Sequence, residues 1–207
     1  MKDYKSIQEE EAATWLIEDP IKRKEKAQRE VIRYPLLLKQ MGLNHLDTSS
    51  MVVWDVGAGP LQGVSQFLNC KHRVPIDPLK EQYAKYFQVD NYLGYKAENL
   101  GERLSQPDLI IVTNALDHFE APGKFLLDLV NYTKPSCYVS MFHAIDNAYS
   151  HPHDAHQWNI NWESVWEILK NDFEVVWYMD FKNDGLTYGW LKQPAFSFLV
   201  RRTTGYK

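Results

Sequence analysis

The sequence is poor in cysteine, lacks any apolar run long enough to cross a bilayer, and has no excess of basic residues. Only Cys70 and Cys137 occur among the 207 residues, too few for a disulfide framework, which favours a reducing compartment. The amino terminus MKDYKSIQEEE is polar and acidic, unlike a secretory signal peptide. No apolar run approaches the roughly 20 residues that a transmembrane helix needs. We therefore expect a cytoplasmic protein without a membrane partner.

The charge balance argues against a general nucleic-acid binder, because such proteins usually carry a basic face. The formal net charge is −4 at pH 7. One local basic run exists, Lys22–Lys24 with Lys26 and Arg29, but on a helix such a run is usually a solvated face. The 44% hydrophobic and 24% charged content is ordinary for a globular protein. A small-molecule partner is expected, and the oligomeric state is left open.

Residues 1–45 are predicted to form a helical extension. Ser6 and Glu9 match a capping-box pattern that marks the start of a helix. Asp19-Pro20 interrupts the helical pattern, because a proline restricts the residue before it. Pro35 is expected to bend or end a second helix. These signals predict at least two helices before the rest of the chain.

Residues 46–207 are predicted to form a single α/β domain. Short apolar runs such as 51–56 and 109–113 alternate with stretches of helical spacing. Such an alternation predicts a mostly parallel sheet with helices on both faces. In sheets of this kind, ligands bind beyond the carboxyl ends of the strands.

A glycine-rich turn, Asp55–Gly63 (DVGAGPLQG), follows the first predicted strand. Glycines let a backbone turn tightly and approach a ligand without a Cβ in the way. The dinucleotide fingerprint needs a glycine at the sixth position from Gly57, where this chain has Gln62. Asp55, just before the turn, suits a ligand with a positive amino group better than a pyrophosphate. A nicotinamide oxidoreductase is thus disfavoured.

The turn resembles the first motif of the class I S-adenosylmethionine-dependent methyltransferases, an acid-x-Gly-x-Gly loop after the first strand. Leu61 stands where that family often has a third glycine. Further segments resemble the family's later motifs in the same order, at 76–79, 95–100 and 107–118. The resemblance implies a Rossmann-like seven-stranded sheet, mostly parallel with an antiparallel last strand, and S-adenosyl-L-methionine as cofactor.

The same resemblance implies a set of cofactor contacts. The glycine loop would carry the methionine part of the cofactor, an acid after the second strand would accept hydrogen bonds from the ribose hydroxyls, and the third motif would lie beside the adenine. The fourth motif would touch both cofactor and substrate. The residues so implied are Asp55, Gly57, Ala58, Gly59, Asp77, Pro78, Ala97, Glu98, Asn114 and Ala115.

Catalysis is expected from histidines beyond the strand ends. Methyl transfer mainly requires that donor and acceptor be held close and aligned, and an oxygen acceptor often needs a base. The candidate bases are His118, His151, His153 and His156. The last three lie in a histidine-rich loop, 143–158, whose spacing matches no standard zinc motif, so no metal ligands are predicted.

The acceptor is expected to be a small polar molecule, with a sugar or glycan hydroxyl as the finer hypothesis. Aromatic walls beside polar histidines suit a polar ring. His143 and Trp158 are candidate acceptor contacts, and the resemblance adds Tyr4 and Trp15 from the extension. Two alternatives stay open: a methyltransferase-like binding module without activity, and a metal-dependent enzyme that uses the histidines of 143–156.

Overall fold

The strands and helices alternate along the chain in the computed structural model, which describes residues 3–100, 106–144, 158, 160–181 and 194–204. Six strands occur in this part of the chain: β1 Val52–Val56, β2 His72–Ile76, β3 Leu109–Thr113, β4 Tyr138–Ala144, β5 Phe173–Phe181 and β6 Ala195–Arg202. The helices are α1 Tyr4–Trp15, α2 Pro20–Val31, α3 Tyr34–Gln40, α4 Lys80–Tyr83, α5 Pro122–Tyr132 and α6 Trp162–Leu169.

The strands form one sheet in the order β2-β1-β3-β4-β6-β5. The four strands β2, β1, β3 and β4 are parallel to their neighbours, whereas β6 runs antiparallel to both β4 and β5. The α/β class and the antiparallel end predicted from the sequence are confirmed. Because parallel strands end at the same edge, the carboxyl ends of β1, β2, β3 and β4 meet there.

The strand count differs from the expected seven at the β2 edge. There the chain makes only an isolated parallel bridge, between Ile76 and Leu93. Leu93 donates to the carbonyl of Pro75 at 2.9 Å and accepts from the amide of Asp77 at 3.0 Å. Pro75 has no N–H to offer at this edge, and a missing donor ends a ladder. The described chain therefore makes a bridge, and not a ladder, beyond β2.

The first helix is capped by a different residue from the one expected. Asp3 caps α1, and its Oδ1 accepts from the backbone amide of Ser6 at 2.9 Å and from its hydroxyl at 3.2 Å. Asp19 caps α2 in the same way through the amide of Ile21. A carboxylate at this position satisfies amides that the helix leaves unpaired. Ser6 therefore lies within the first turn as a donor.

The sheet has a buried cluster on each face because successive side chains of a strand point to opposite sides. Ile110 and Val112 join the first core cluster, with α5 and α6. Leu109 and Ile111 join the second core cluster, with α3. Burial on both faces explains why β3 is apolar throughout, as expected for a central parallel strand.

The amino-terminal helices share these cores with the sheet. Tyr34 and Leu37 of α3 belong to the second core cluster. Ala12 of α1 lies in a third core cluster with Leu79 and Tyr83, next to the end of β2. This packing lays α1 near the edge where the parallel strands end. No helix within the described ranges is both long and apolar enough to cross a membrane.

Two leucines of α5 test the assignment of its buried face. Leu129 is 0% exposed and belongs to the first core cluster, whereas Leu127 is 64% exposed. Leu129→Ala should lower the free energy of unfolding by about 3 kcal/mol, because it leaves a cavity in the core. Leu127→Ala, the matched control, should change it by less than about 0.5 kcal/mol. Urea denaturation of both variants measures this, and equal losses would contradict the assigned face.

Candidate functional site

A cavity of about 320 Å³ opens where the parallel strands end. Its walls come from the glycine turn after β1, the turns after β2 and β3, the end of β4 and one side of α1. Cavities of this size hold small molecules or cofactors. The residues named from the sequence that lie on its wall are Tyr4, Trp15, Gly57, Ala58, Gly59, Asp77, Pro78, Ala97, Asn114, Ala115 and His118.

The glycine turn owes its shape to two glycines with positive φ. Gly57 has φ +71°, and a Cβ built on it would lie 2.4 Å from the Cβ of Ala115, the residue that follows Asn114 in the next turn. Gly59 has φ +60°, and a Cβ there would meet nothing within 4 Å. The first glycine is needed for close approach between turns, whereas the second leaves its backbone open to the cavity.

Asp77 and Tyr92 hold the glycine turn through side-chain hydrogen bonds. The two carboxylate oxygens of Asp77 accept from the amides of Gly59 and Leu79, each at 2.9 Å. The Tyr92 hydroxyl accepts from the amide of Gln62 at 2.6 Å and donates to the carbonyl of Gly59 at 2.8 Å. Burial raises the pKa of Asp77 to about 6, although both hydrogen bonds oppose the shift. Asp77 thus combines a place on the wall with direct support of the turn.

Asp55 lies behind the turn and is not one of the lining residues. Its side chain is 0% exposed, and its Oδ2 lies 3.4 Å from the amide nitrogen of Ser65. A Cβ on Gly63 would come within 2.7 Å of the same oxygen. Asp55 is still part of β1, so its side chain leaves from a face of the sheet. Asp55 therefore supports the turn from beneath, and the expectation that its carboxylate meets a ligand's amino group stays a prediction.

His118 lies on the cavity wall between two carboxylates. Its Nδ1 is 3.8 Å from Oε2 of Glu11 on α1, and its Nε2 is 3.7 Å from Oδ1 of the buried Asp117. The side-chain amide of Gln8 lies 3.4 Å from the His118 carbonyl oxygen. This placement is compatible with the role of a base, which the sequence suggested, and that role stays a prediction.

Three other predicted residues lie off the wall. His143 is 3% exposed, with its Nδ1 3.8 Å from Oδ1 of Asp117 and its ring beside Phe196. Glu98 accepts from the amide of Ala121 at 2.9 Å, the residue before α5. Trp158 donates from its indole to the carbonyl of Phe119 at 2.9 Å. All three are engaged in the protein's own contacts, so their predicted ligand contacts are not seen on this wall.

The remaining candidate bases, His151, His153 and His156, lie outside the described residues. Their predicted role is therefore untested. Among the residues that are described, no group of three or more histidine, cysteine or acidic side chains is arranged to hold a metal.

Sequence reasoning missed much of the wall on the helical side. α1 contributes Gln8 and Glu11 besides Tyr4 and Trp15, a spacing that puts all four on one helix face. The helical periodicity can be read from the sequence, but it does not show which part of the protein that helix face contacts. Other missed lining residues include Glu30 and Tyr34, at the junction of α2 and α3, and Tyr83, Tyr95, Thr113 and Phe142.

Neither a family model nor a curated protein matches the sequence, but solved structures do. The N-methyltransferase NodS from Bradyrhizobium japonicum WM9 superposes with a TM-score of 0.61 at 15% identity, over 90% of this chain and 99% of that one. The 1,6-didemethyltoxoflavin-N1-methyltransferase from Burkholderia thailandensis gives 0.61 at 15% identity, over 97% and 89%. The chain has the fold of the class I S-adenosylmethionine-dependent methyltransferases.

The methyltransferase fold also occurs with other chemistry. The cyclase SpnF has a TM-score of 0.59 at 12% identity, over 83% of this chain and 81% of that one. The Burkholderia enzyme, by contrast, was crystallised with 1,6-didemethyltoxoflavin and S-adenosylhomocysteine bound. Because fold alone does not fix a reaction, the function depends on the residues of the cavity.

The buried Asp55 predicts a distinctive pH dependence of stability. Burial raises its pKa from an ordinary 3.8 to about 7 in the folded protein. The unfolded chain therefore loses this proton first, so stability falls as the pH rises from about 4 to about 7, by on the order of 4 kcal/mol from this group. Asp55→Asn, which cannot ionise, should make the decline shallower.

Urea denaturation at pH 5 and at pH 7.5 measures the effect. Asp90→Asn, at an exposed aspartate, is the control and should retain the decline of the unsubstituted protein. The same decline in Asp55→Asn would show that Asp55 does not titrate in this range.

Proposed function

We propose that the protein is an S-adenosylmethionine-dependent methyltransferase that acts on a small polar acceptor. The observation that carries the proposal is Asp77, an acid at the end of β2 that lines the cavity beside the open backbone of Gly59. The resemblance assigns an acid at this place to the ribose hydroxyls of the cofactor. A carboxylate can accept several hydrogen bonds at once.

The other walls fit the rest of the cofactor. Tyr95 and Ala97 line the cavity on the side of Asp77, where the resemblance places the adenine. Gly59 offers backbone without a Cβ, and a Cβ built there would meet no atom within 4 Å, which suits the methionine part. Asn114 is held on the wall because its side-chain oxygen accepts from the amide of Ala144 at 3.0 Å. Cofactor binding therefore needs no rearrangement of the glycine turn.

When bound, S-adenosylmethionine would supply a methyl group carried on a positively charged sulfur. The acceptor's lone pair would form the new bond to that methyl group, and the sulfur would keep the electrons of the broken carbon–sulfur bond. The protein's task is alignment and removal of the acceptor's proton. His118 lies on the wall and is the described histidine placed to take that proton. Gln8 and Glu11, from α1, confine the same region and limit the access of water.

The finer hypothesis of a sugar or glycan hydroxyl rests on the histidine-rich loop and is retained as part of the proposal. Two of the structural relatives are named as N-methyltransferases, so a nitrogen acceptor is the competing possibility. A cytoplasmic location is proposed from the scarcity of cysteine, as the sequence suggested. Nucleic acid is not proposed as an acceptor, since the net charge is −4.

Cofactor binding can be measured without knowledge of the acceptor. Calorimetric titration with S-adenosylhomocysteine should give a micromolar dissociation constant, about −8 kcal/mol. Asp77→Asn should weaken it at least about a hundredfold, because the ribose hydroxyls lose a charged acceptor. Asp90→Asn, an exposed aspartate, should bind like the unsubstituted protein. Absence of binding to the unsubstituted protein would overturn the proposed function.

The pKa of Asp77 also predicts how binding depends on pH. Burial raises this pKa to about 6 in the free protein, and hydrogen bonds from ribose hydroxyls favour the ionised form. Lowering the pH from 7 to 5 should therefore weaken S-adenosylhomocysteine binding by about tenfold, because most of the carboxyl is then protonated. Asp55→Asn should keep this dependence. A flat profile would place the ribose away from Asp77.

A further inference from the structure

The cavity has a second end, on the side of β4. Its cofactor end is formed by Asp77, Leu79 and Tyr83, next to the third core cluster. The other end, here called the far end, consists of Glu30, Tyr34, Leu37, Thr113, Phe142 and Ala144. All of these residues except Glu30 and Thr113 belong to the second core cluster. Since β2 and β4 are three strand spacings apart in the sheet order, the two ends are separated by about 14 Å.

The described wall is acidic. Glu11, Glu30 and Asp77 line the cavity, and no lysine or arginine is found among the described lining residues. Basic side chains near the wall are engaged with its residues: Arg33 pairs with Glu30. Lys26 lies 4.1 Å from the centre of the Trp15 ring and donates to the carbonyl of Thr14. A wall of this kind favours a cation and opposes an anion, more strongly than in water because the site is partly desolvated.

Glu30 is the acidic residue of the far end, and Arg33 holds it in position. Arg33 Nη1 lies 3.1 Å and 3.2 Å from the two Glu30 oxygens. The two side chains are 29% and 26% exposed, so the pair is worth little by itself. A carboxylate offers about four acceptor sites, and this one also lines the cavity. Glu30 can therefore accept a hydrogen bond from a ligand while its ion pair with Arg33 keeps the carboxylate oriented.

Two aromatic side chains line the cavity at the same end as Glu30. Tyr34 and Phe142 line the same end, and Tyr34 remains a neutral phenol because burial and the neighbouring Glu30 raise its pKa. Faces of such rings attract ammonium groups when water is excluded. A carboxylate and aromatic side chains on one stretch of wall are together suited to one class of ligand group, a protonated amine.

We propose that the far end binds the acceptor through a protonated amino group, with Glu30 as the residue that determines specificity. The inference deepens the proposed function and rests on it for the position of the cofactor. It concerns recognition of the acceptor and leaves open which of its atoms takes the methyl group. An amino sugar would carry both the protonated amine proposed here and a hydroxyl group that could accept the methyl group. Glu11 and Glu30 would oppose the binding of an anionic acceptor.

Three probes of one shape and different charge test the inference: benzylamine, benzyl alcohol and benzoate. Each is titrated at pH 7 into protein saturated with S-adenosylhomocysteine, and binding is followed by chemical-shift changes of far-end residues such as Thr113 and Ala144. Benzylamine should bind at least about tenfold more tightly than benzyl alcohol, about 1.4 kcal/mol. Benzoate should not bind.

Two glutamates of α2 provide the matched variants. Glu30→Gln should abolish the preference for benzylamine, whereas Glu25→Gln, at an exposed position, should keep it although the net charge changes equally. Unchanged S-adenosylhomocysteine binding in both variants shows that they are folded. Equal binding of amine and alcohol, binding of benzoate, or no shift at the far end with any probe would overturn the inference.

The proposed function and the proposed amine site can be refuted independently of each other. Binding of S-adenosylhomocysteine without an amine preference would refute only the role of Glu30. Repeating the three titrations without S-adenosylhomocysteine measures the amine preference independently. A preference for benzylamine in a protein that does not bind S-adenosylhomocysteine would retain the amine site and refute the methyltransferase.

Discussion

The close approach of Gly57 to Ala115 is the contact on which the site depends. A side chain at Gly57 would place its Cβ 2.4 Å from that of Ala115, so the turns after β1 and β3 meet without room between them. Beyond this contact they must diverge, one toward β2 and the other toward β4. Asn114, with φ +49°, donates its amide to the carbonyl of Phe142 at 2.7 Å and so joins the second turn to β4. The cavity is the space left by this divergence.

Two buried aspartates support the divergence from opposite sides of the glycine turn. Asp77 bonds it from the cavity and Asp55 from below, and burial raises the pKa of both toward neutrality. Burial of an ionised carboxylate is costly in such a place. Glu11 and Glu30 differ, because they are partly exposed. Asp55 thus supports the turn, whereas Glu11 and Glu30 give the wall its negative charge. Asp77 does both.

The sequence was sufficient for the central elements and for the glycine side of the site. The apolar run of β3 and the order of the motifs predicted the sheet, and Gly57, Asp77 and Ala97 reach the wall as expected. Side-chain direction was harder to predict. Asp55 shares a sheet face with Val53 because strand residues alternate, yet only the observed end of β1 shows that it precedes the turn. His143 is likewise still within β4. The face that α1 and α2 offer depends on long-range packing, which local patterns do not encode.

The way α1 is attached has a kinetic consequence. Four of its side chains line the cavity, but only Ile7 and Ala12 are fully buried. Little apolar area therefore anchors this wall, compared with the strands that form the opposite one. Segments with few buried contacts open at a lower free energy than the global unfolding of a domain. The residence time of a bound molecule would then be governed by how often α1 detaches.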